Sequence, residues 1–225
     1  IMKLFIWIVF VLFCLVNVFS ASAQTIKKTF FLETDIDHIY LTDTIHISKC
    51  NVYLSNFKFY QNDKLAFTDT EKAYLIDLID PIPLNFEIPT QVKYNRVVFD
   101  VGIDSLTNVA GILTGALDPR NGMYWSWQSG YINFKIEGDI RSKNSKSFQY
   151  HIGGYAVKLN ALQTKSFDIS AGNSYIFNFS IMPLLTNCHK NNLFELMTPQ
   201  LKAVQMAKVF ADHISCRKIS DLKNE

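Results

Sequence analysis

The sequence predicts an all-β protein, an antiparallel β-sandwich with a C-terminal helix, and three observations point there. Segments rich in β-branched and aromatic residues alternate apolar and polar side chains with a period of two. These segments are short and bounded by Asn, Asp and Gly, the punctuation of a sandwich. Near the C-terminus the apolar period changes to that of a helix.

At the N-terminus, Lys3 precedes an apolar run from Leu4 to Phe19, and Ser20-Ala21-Ser22-Ala23-Gln24 follows. That order is a secretory signal peptide, with Ala21 and Ala23 at an A-x-A cleavage site. The rival reading, an uncleaved anchor, needs ~20 apolar residues, and the run is shorter. The expected organisation is a signal peptide over 1–23 and a single domain over 24–225, placed in the periplasm or on the cell surface, with no membrane span after cleavage. Cleavage leaves 202 of the 225 residues and removes one cation, Lys3, so the formal charge of +2 falls to +1. A nearly neutral chain with scattered charges gives no electrostatic basis for binding nucleic acid.

Cys50, Cys188 and Cys216 remain after cleavage, an odd number in a compartment where disulfides form. Cys188 and Cys216 flank the predicted C-terminal helix and make the expected pair. No C-x-x-C motif supports a zinc ribbon or a thioredoxin-like site.

The first strand signal runs from Cys50 to Tyr60, with Val52, Leu54, Phe57 and Phe59 apolar and a turn at Gln61-Asn62-Asp63-Lys64. Further strands are predicted over Ala73–Ile79, Val92–Val101, Tyr131–Glu137, Phe148–Ile152, Ala156–Leu162 and Tyr175–Ile181. A short helix is predicted over Asp104–Ala110. The longer one has Thr198 as N-cap, Pro199 in the first helical position and Leu201, Val204, Ala207, Ala211 and Ile214 at helical spacing.

The most informative stretch is Gly122-Met123-Tyr124-Trp125-Ser126-Trp127-Gln128-Ser129-Gly130-Tyr131-Ile132-Asn133-Phe134-Lys135-Ile136-Glu137-Gly138. Ile132, Phe134 and Ile136 share one parity and should face the core. Trp125, Trp127 and Tyr131 share the other, unless a bulge at Gly130 reverses it. In the next strand Phe148, Tyr150 and Ile152 alternate with Gln149 and His151. If the two strands form a hairpin, their core faces coincide, and His151 joins Trp125 and Trp127 on the opposite face. Two plainer readings stand beside this cluster: His151 as a hydrogen-bonded histidine, and Trp125 and Trp127 packed beneath the loop from Asp104 to Asn121.

The tryptophan stretch, followed by His151-Ile152-Gly153-Gly154, resembles the signature of the MbnP-like family. Tyr53-Leu54-Ser55-Asn56-Phe57, Asp100-Val101-Gly102-Ile103-Asp104 and Gly115-Ala116-Leu117-Asp118-Pro119 resemble it too, so the likeness covers about Thr29 to Phe210. The resemblance implies an exported β-domain that binds copper for storage or delivery, through histidine nitrogen and a tryptophan oxidised to kynurenine. It also implies a partner, a di-haem cytochrome c peroxidase of the MauG type. His151 matches the family's histidine motif, and Trp125 and Trp127 match its tryptophan motif, either being open to modification. A second histidine is wanted, and His38 and His46 are the better placed of His38, His46, His189 and His213. Met123 offers a soft thioether.

A second class of function is a carbohydrate- or ligand-binding module without metal, using Trp125, Trp127, Gln128, Tyr131 and Asn133 as an exposed platform. Enzymatic activity is not expected. There is no G-x-S-x-G elbow, H-E-x-x-H helix, P-loop or G-x-G-x-x-G fingerprint.

Overall fold

The structure, a computed structural model, describes residues 24–36, 45–128, 130–141, 145–170 and 173–219. The expected signal peptide, residues 1–23, and His38 lie outside the described residues.

In chain order the strands are β1 (Thr25–Thr34), β2 (Ile45–Gln61), β3 (Lys64–Thr68), β4 (Ala73–Asp77), β5 (Leu84–Pro89), β6 (Arg96–Val101), β7 (Tyr124–Trp125), β8 (Gly130–Ile140), β9 (Lys146–Gly153), β10 (Gln163–Asp168), β11 (Tyr175–Phe179), β12 (Glu195–Leu196) and β13 (Ile214–Lys218). The helices are α1 (Ser105–Val109), α2 (Met182–Lys190) and α3 (Leu201–Asp212). A four-stranded sheet has the order β13-β11-β1-β5. A nine-stranded sheet has the order β10-β6-β2-β8-β9-β12, with β3 and β4 pairing β2 and β7 pairing β8. Pairing is antiparallel except for one parallel pair in each sheet, β1 with β11 and β9 with β12.

The alternation read in the sequence generates the sandwich. In β5, Leu84, Phe86 and Ile88 are buried, and in β6, Val97, Phe99 and Val101, while the residues between them are more exposed. Their rings meet across the layers: Phe57 of β2 lies 4.8 Å from Phe86 of β5, and Phe99 of β6 lies 5.1 Å from Phe177 of β11. Within the four-stranded sheet, Phe30 of β1 stacks on Phe177 at 4.6 Å. Each such ring contributes roughly 1.5–3 kcal/mol through burial. The polar turn after β2 places Asn62 in the left-handed region at φ 49°, which asparagine tolerates, and the chain returns as β3.

The C-terminal helix is present, but its boundaries and buried stripe differ from the expectation. Gln200, not Thr198, is the N-cap residue, and Pro199 precedes the helix. The buried residues are Ala203, Met206, Ala207, Phe210 and Ala211, whereas Leu201 is exposed. Phe210 decides the rotation by stacking at 4.1 Å on Phe134 of β8. Ile214 lies in β13, which pairs with β11. The strand expected over Ala156–Leu162 is a turn-rich segment. Gly154 at φ +126° breaks the extended chain, and Leu159 N–H then donates to the Ala156 carbonyl.

The expected Cys188–Cys216 disulfide is not formed: Cys50, Cys188 and Cys216 are all free thiols. Cys188 lies in α2, with its Sγ 3.6 Å from Met206 Sδ of α3. β13 draws Cys216 away into the four-stranded sheet, opposite Phe177.

Candidate functional site

The strand β8 is covered on both faces. Phe134 and Ile136 belong to the main core, whereas Trp125, Tyr131 and Ile132 belong to a second cluster with Tyr53, Ile103, Leu117 and Met123. A bulge explains why Ile132 and Phe134, expected on one face, part company. Ile132 pairs with Gly153 and Phe134 with Ile152, which leaves Asn133 as the extra residue. The bulge lies at Asn133 and not at Gly130. Asn133 Oδ1 accepts from Ile103 N–H at 3.1 Å. Gly102 is at φ +115°, and a Cβ there would lie 2.4 Å from Asn133 Cγ, so only glycine fits.

The segment from Gly102 to Asn121 roofs this second cluster. Asp104 caps α1 through Thr107 N–H, and Asn108 Oδ1 accepts from Tyr131 N–H at 2.8 Å. The Tyr131 hydroxyl meets Leu113 N–H and the carbonyls of Gly111 and Leu117 at 3.0–3.2 Å. Tyr53 donates to the Ala116 carbonyl.

His151, on β9, is 6% exposed, faces Lys135 on β8, and places Nε2 2.7 Å from Glu137 Oε1. Lys135 Nζ is 3.5 Å from the same oxygen and donates to the Gly122 carbonyl. Burial alone would raise the Glu137 pKa, but the His151 hydrogen bond and the Lys135 charge carry it below its ordinary 4.5. Burial lowers the His151 pKa below 6.5, and Glu137 only partly offsets this. An ionised Glu137 can only accept, so neutral His151 carries its proton on Nε2 and presents its lone pair on Nδ1.

Trp125 is 5% exposed and Trp127 is 63% exposed, with their ring centroids 6.0 Å apart. The benzo edge of Trp125 lies over Gly153, where a Cβ would come within 2.9 Å of it. Positions 151 and 153 of a regular strand share a face, so Trp125 covers the side of β9 that bears His151. Trp125 Nε1 is buried and has no hydrogen-bond partner. Beside the ring is a cavity of about 140 Å³, lined by Trp125, Gln128, Gly130, Tyr155, Leu159 and Pro199.

The fold therefore sets Trp125 and His151 on one sheet face and sends Trp127 to solvent. His46, on β2, is separated from β9 by β8 and pairs with Asp139, four residues from Lys135. That offset is about 13 Å along the strand, so His46 does not approach His151 as expected. His189 lies at the end of α2 beside Phe194, and His213 closes α3, bonded to the Val209 carbonyl. Met123 is buried in the second cluster. The exposed platform is not formed, because Trp125, Tyr131 and Asn133 are buried and only Trp127 and Gln128 face solvent. Covering this sheet face by the Gly102–Asn121 roof is what overturns it. Sequence reasoning missed Glu137 and Lys135 as His151's partners, although their shared parity with Tyr131 was the available signal. Among the described residues no group of three or more His, Cys, Asp or Glu is gathered as a metal site.

A β-sandwich with a buried histidine and a buried tryptophan on its second face is the class these features define. The MbnP family model matches residues 17–198, and the chain belongs to that family. MbnP from Methylosinus trichosporium shares the fold at a TM-score of 0.50 and 13% identity, over 72% of this chain and 78% of that one. No curated protein sequence matches the chain. Among the described residues no helix is long and apolar enough to cross a membrane.

Proposed function

We propose that the chain is an exported copper-binding protein of the periplasm or cell surface, holding the metal for storage or delivery rather than catalysing a reaction. His151 Nδ1 and Trp125, once oxidised to kynurenine, are its proposed ligands, and a MauG-like di-haem peroxidase is the proposed oxidant. Membership of the MbnP family supports this reading. The observation that carries it is the His151–Glu137 contact. A carboxylate that takes one ring N–H fixes the tautomer and makes the other nitrogen more basic, the arrangement metal-binding histidines use.

The donor chemistry fits. Imidazole suits copper, and kynurenine replaces the indole, a poor ligand, with an aryl amine. Trp125 is preferred over Trp127 because it shares the His151 face and its N–H has no competing partner. His38 is retained as the candidate for a second histidine.

The test is copper titration of residues 24 to 225 purified from the native host, with and without His151→Ala, together with mass analysis of the peptide containing Trp125 and Trp127. Stoichiometric binding lost on substitution, with the mass change on Trp125, is the expected result. Equal binding by both folded forms, with unmodified tryptophans, overturns it.

A further inference from the structure

A ring that is 5% exposed cannot be touched by an oxidant the size of a protein, yet Trp127, 63% exposed, lies 6.0 Å from it, centroid to centroid. We infer that Trp127 is a relay: electrons leave Trp125 through Trp127 to a one-electron oxidant that stays at the surface. The inference rests on the reading of Trp125 as the residue oxidised.

Neighbouring rings of the same type have similar intrinsic potentials, so transfer between Trp125 and Trp127 needs little driving force. Exposure then divides the labour. Trp127 sits in the turn after β7, where a bulky oxidant reaches it. Trp125 borders the cavity of about 140 Å³, whose lining includes Gln128 and Tyr155, enough space for several waters. Oxygen addition there is irreversible and drains the oxidised state from the pair.

The chemistry balances. Trp125 and two waters give N-formylkynurenine, four protons and four electrons; the C2–C3 bond of the indole breaks and each carbon gains one oxygen. The electrons pass singly through Trp127 to the oxidant, a high-valent haem iron or any one-electron acceptor of comparable potential. Hydrolysis of the formamide then releases formate and leaves the aryl amine.

The experiment uses photogenerated tris(bipyridine)ruthenium(III), too large for the cavity, on metal-free protein, with peptide mass spectrometry to locate the added oxygen. Wild-type protein should gain two oxygens on Trp125. Trp127→Phe should lose that product, and Trp127→Tyr, which is redox-active, should restore it. A packing role for residue 127 would not separate Phe from Tyr. Undiminished oxidation of Trp125 in folded Trp127→Phe overturns the relay, as does wild-type oxidation confined to Trp127. Copper titration of the oxidised protein, once the formamide has been hydrolysed to the amine, is a separate readout. Oxidation through Trp127 without copper binding leaves the relay standing and removes the copper reading, and the reverse result does the opposite.

Discussion

At His151 three residues share one problem, the burial of charge. Lys135 is 9% exposed and His151 6%, and each is within reach of Glu137 Oε1. Replacing the carboxylate by an amide leaves the ammonium without its counter-charge and weakens the grip on the imidazole. Glu137→Gln should therefore lower stability by roughly 1.5–3 kcal/mol, measured by urea denaturation. The pH dependence has one sign. His151 is held below 6.5 in the fold, so as pH drops through 6.5 the unfolded chain takes up its proton first and stability falls until the folded pKa is passed. Glu137 is held below 4.5, so its contribution is present above 4.5 and is lost as pH falls through its folded pKa. The melting temperature should decline from pH 6.5 downward, and Glu137→Gln should flatten the lower part of that decline. An acid limb unchanged in the variant would remove Glu137 from this account.

Among the elements, α3 depends most on one residue. Its N-cap, Gln200, makes no side-chain capping bond, so the first turn has little local support. Packing supplies it: Phe210 stacks on Phe134 of β8 and lies 6.2 Å from Phe179 of β11, linking the helix to both sheets. Phe210→Ala should cost about 3–5 kcal/mol by thermal or denaturant unfolding, whereas Leu201→Ala, on the exposed side, should change little. Equal effects would show that Phe210 does not anchor the buried side of the helix. The same logic of rotation applies to the strands. Periodicity located β8 and β9 and put Phe148, Tyr150 and Ile152 inside, where they lie. The inserted residue at Asn133 obeys no periodic rule, because a bulge is fixed by what the neighbouring strand and the Gly102 turn require.

For the whole molecule, the absence of a disulfide among the described residues makes the core the source of stability. Burial holds the Cys50 thiol well above its ordinary pKa of 9.0 and pushes Cys188 and Cys216 up to about 11. Thiolates are the reactive form, so native protein should resist a maleimide reagent, and denatured protein should take it up at Cys50, Cys188 and Cys216 without prior reduction. Labelling at Cys50 alone after denaturation would instead reveal a Cys188–Cys216 bond.

The sequence by itself determined the all-β class, most strand positions, the existence of α3 and the likeness to the MbnP family, because period-two and period-3.6 patterns and the tryptophan motif are local properties. It also put Trp125 and His151 on one face through parity, although the regular hairpin assumed for this is interrupted by the extra residue at Asn133. Tertiary structure decided what covers that face. The roof from Gly102 to Asn121 is held by Asn108, Tyr131 and Tyr53, so burial of Trp125 and exposure of Trp127 depend on contacts between residues far apart in the chain. The separation of His46 from His151 and of Cys188 from Cys216 has the same origin. Strand order and register set these distances, and neither is written in the spacing of residues along one segment.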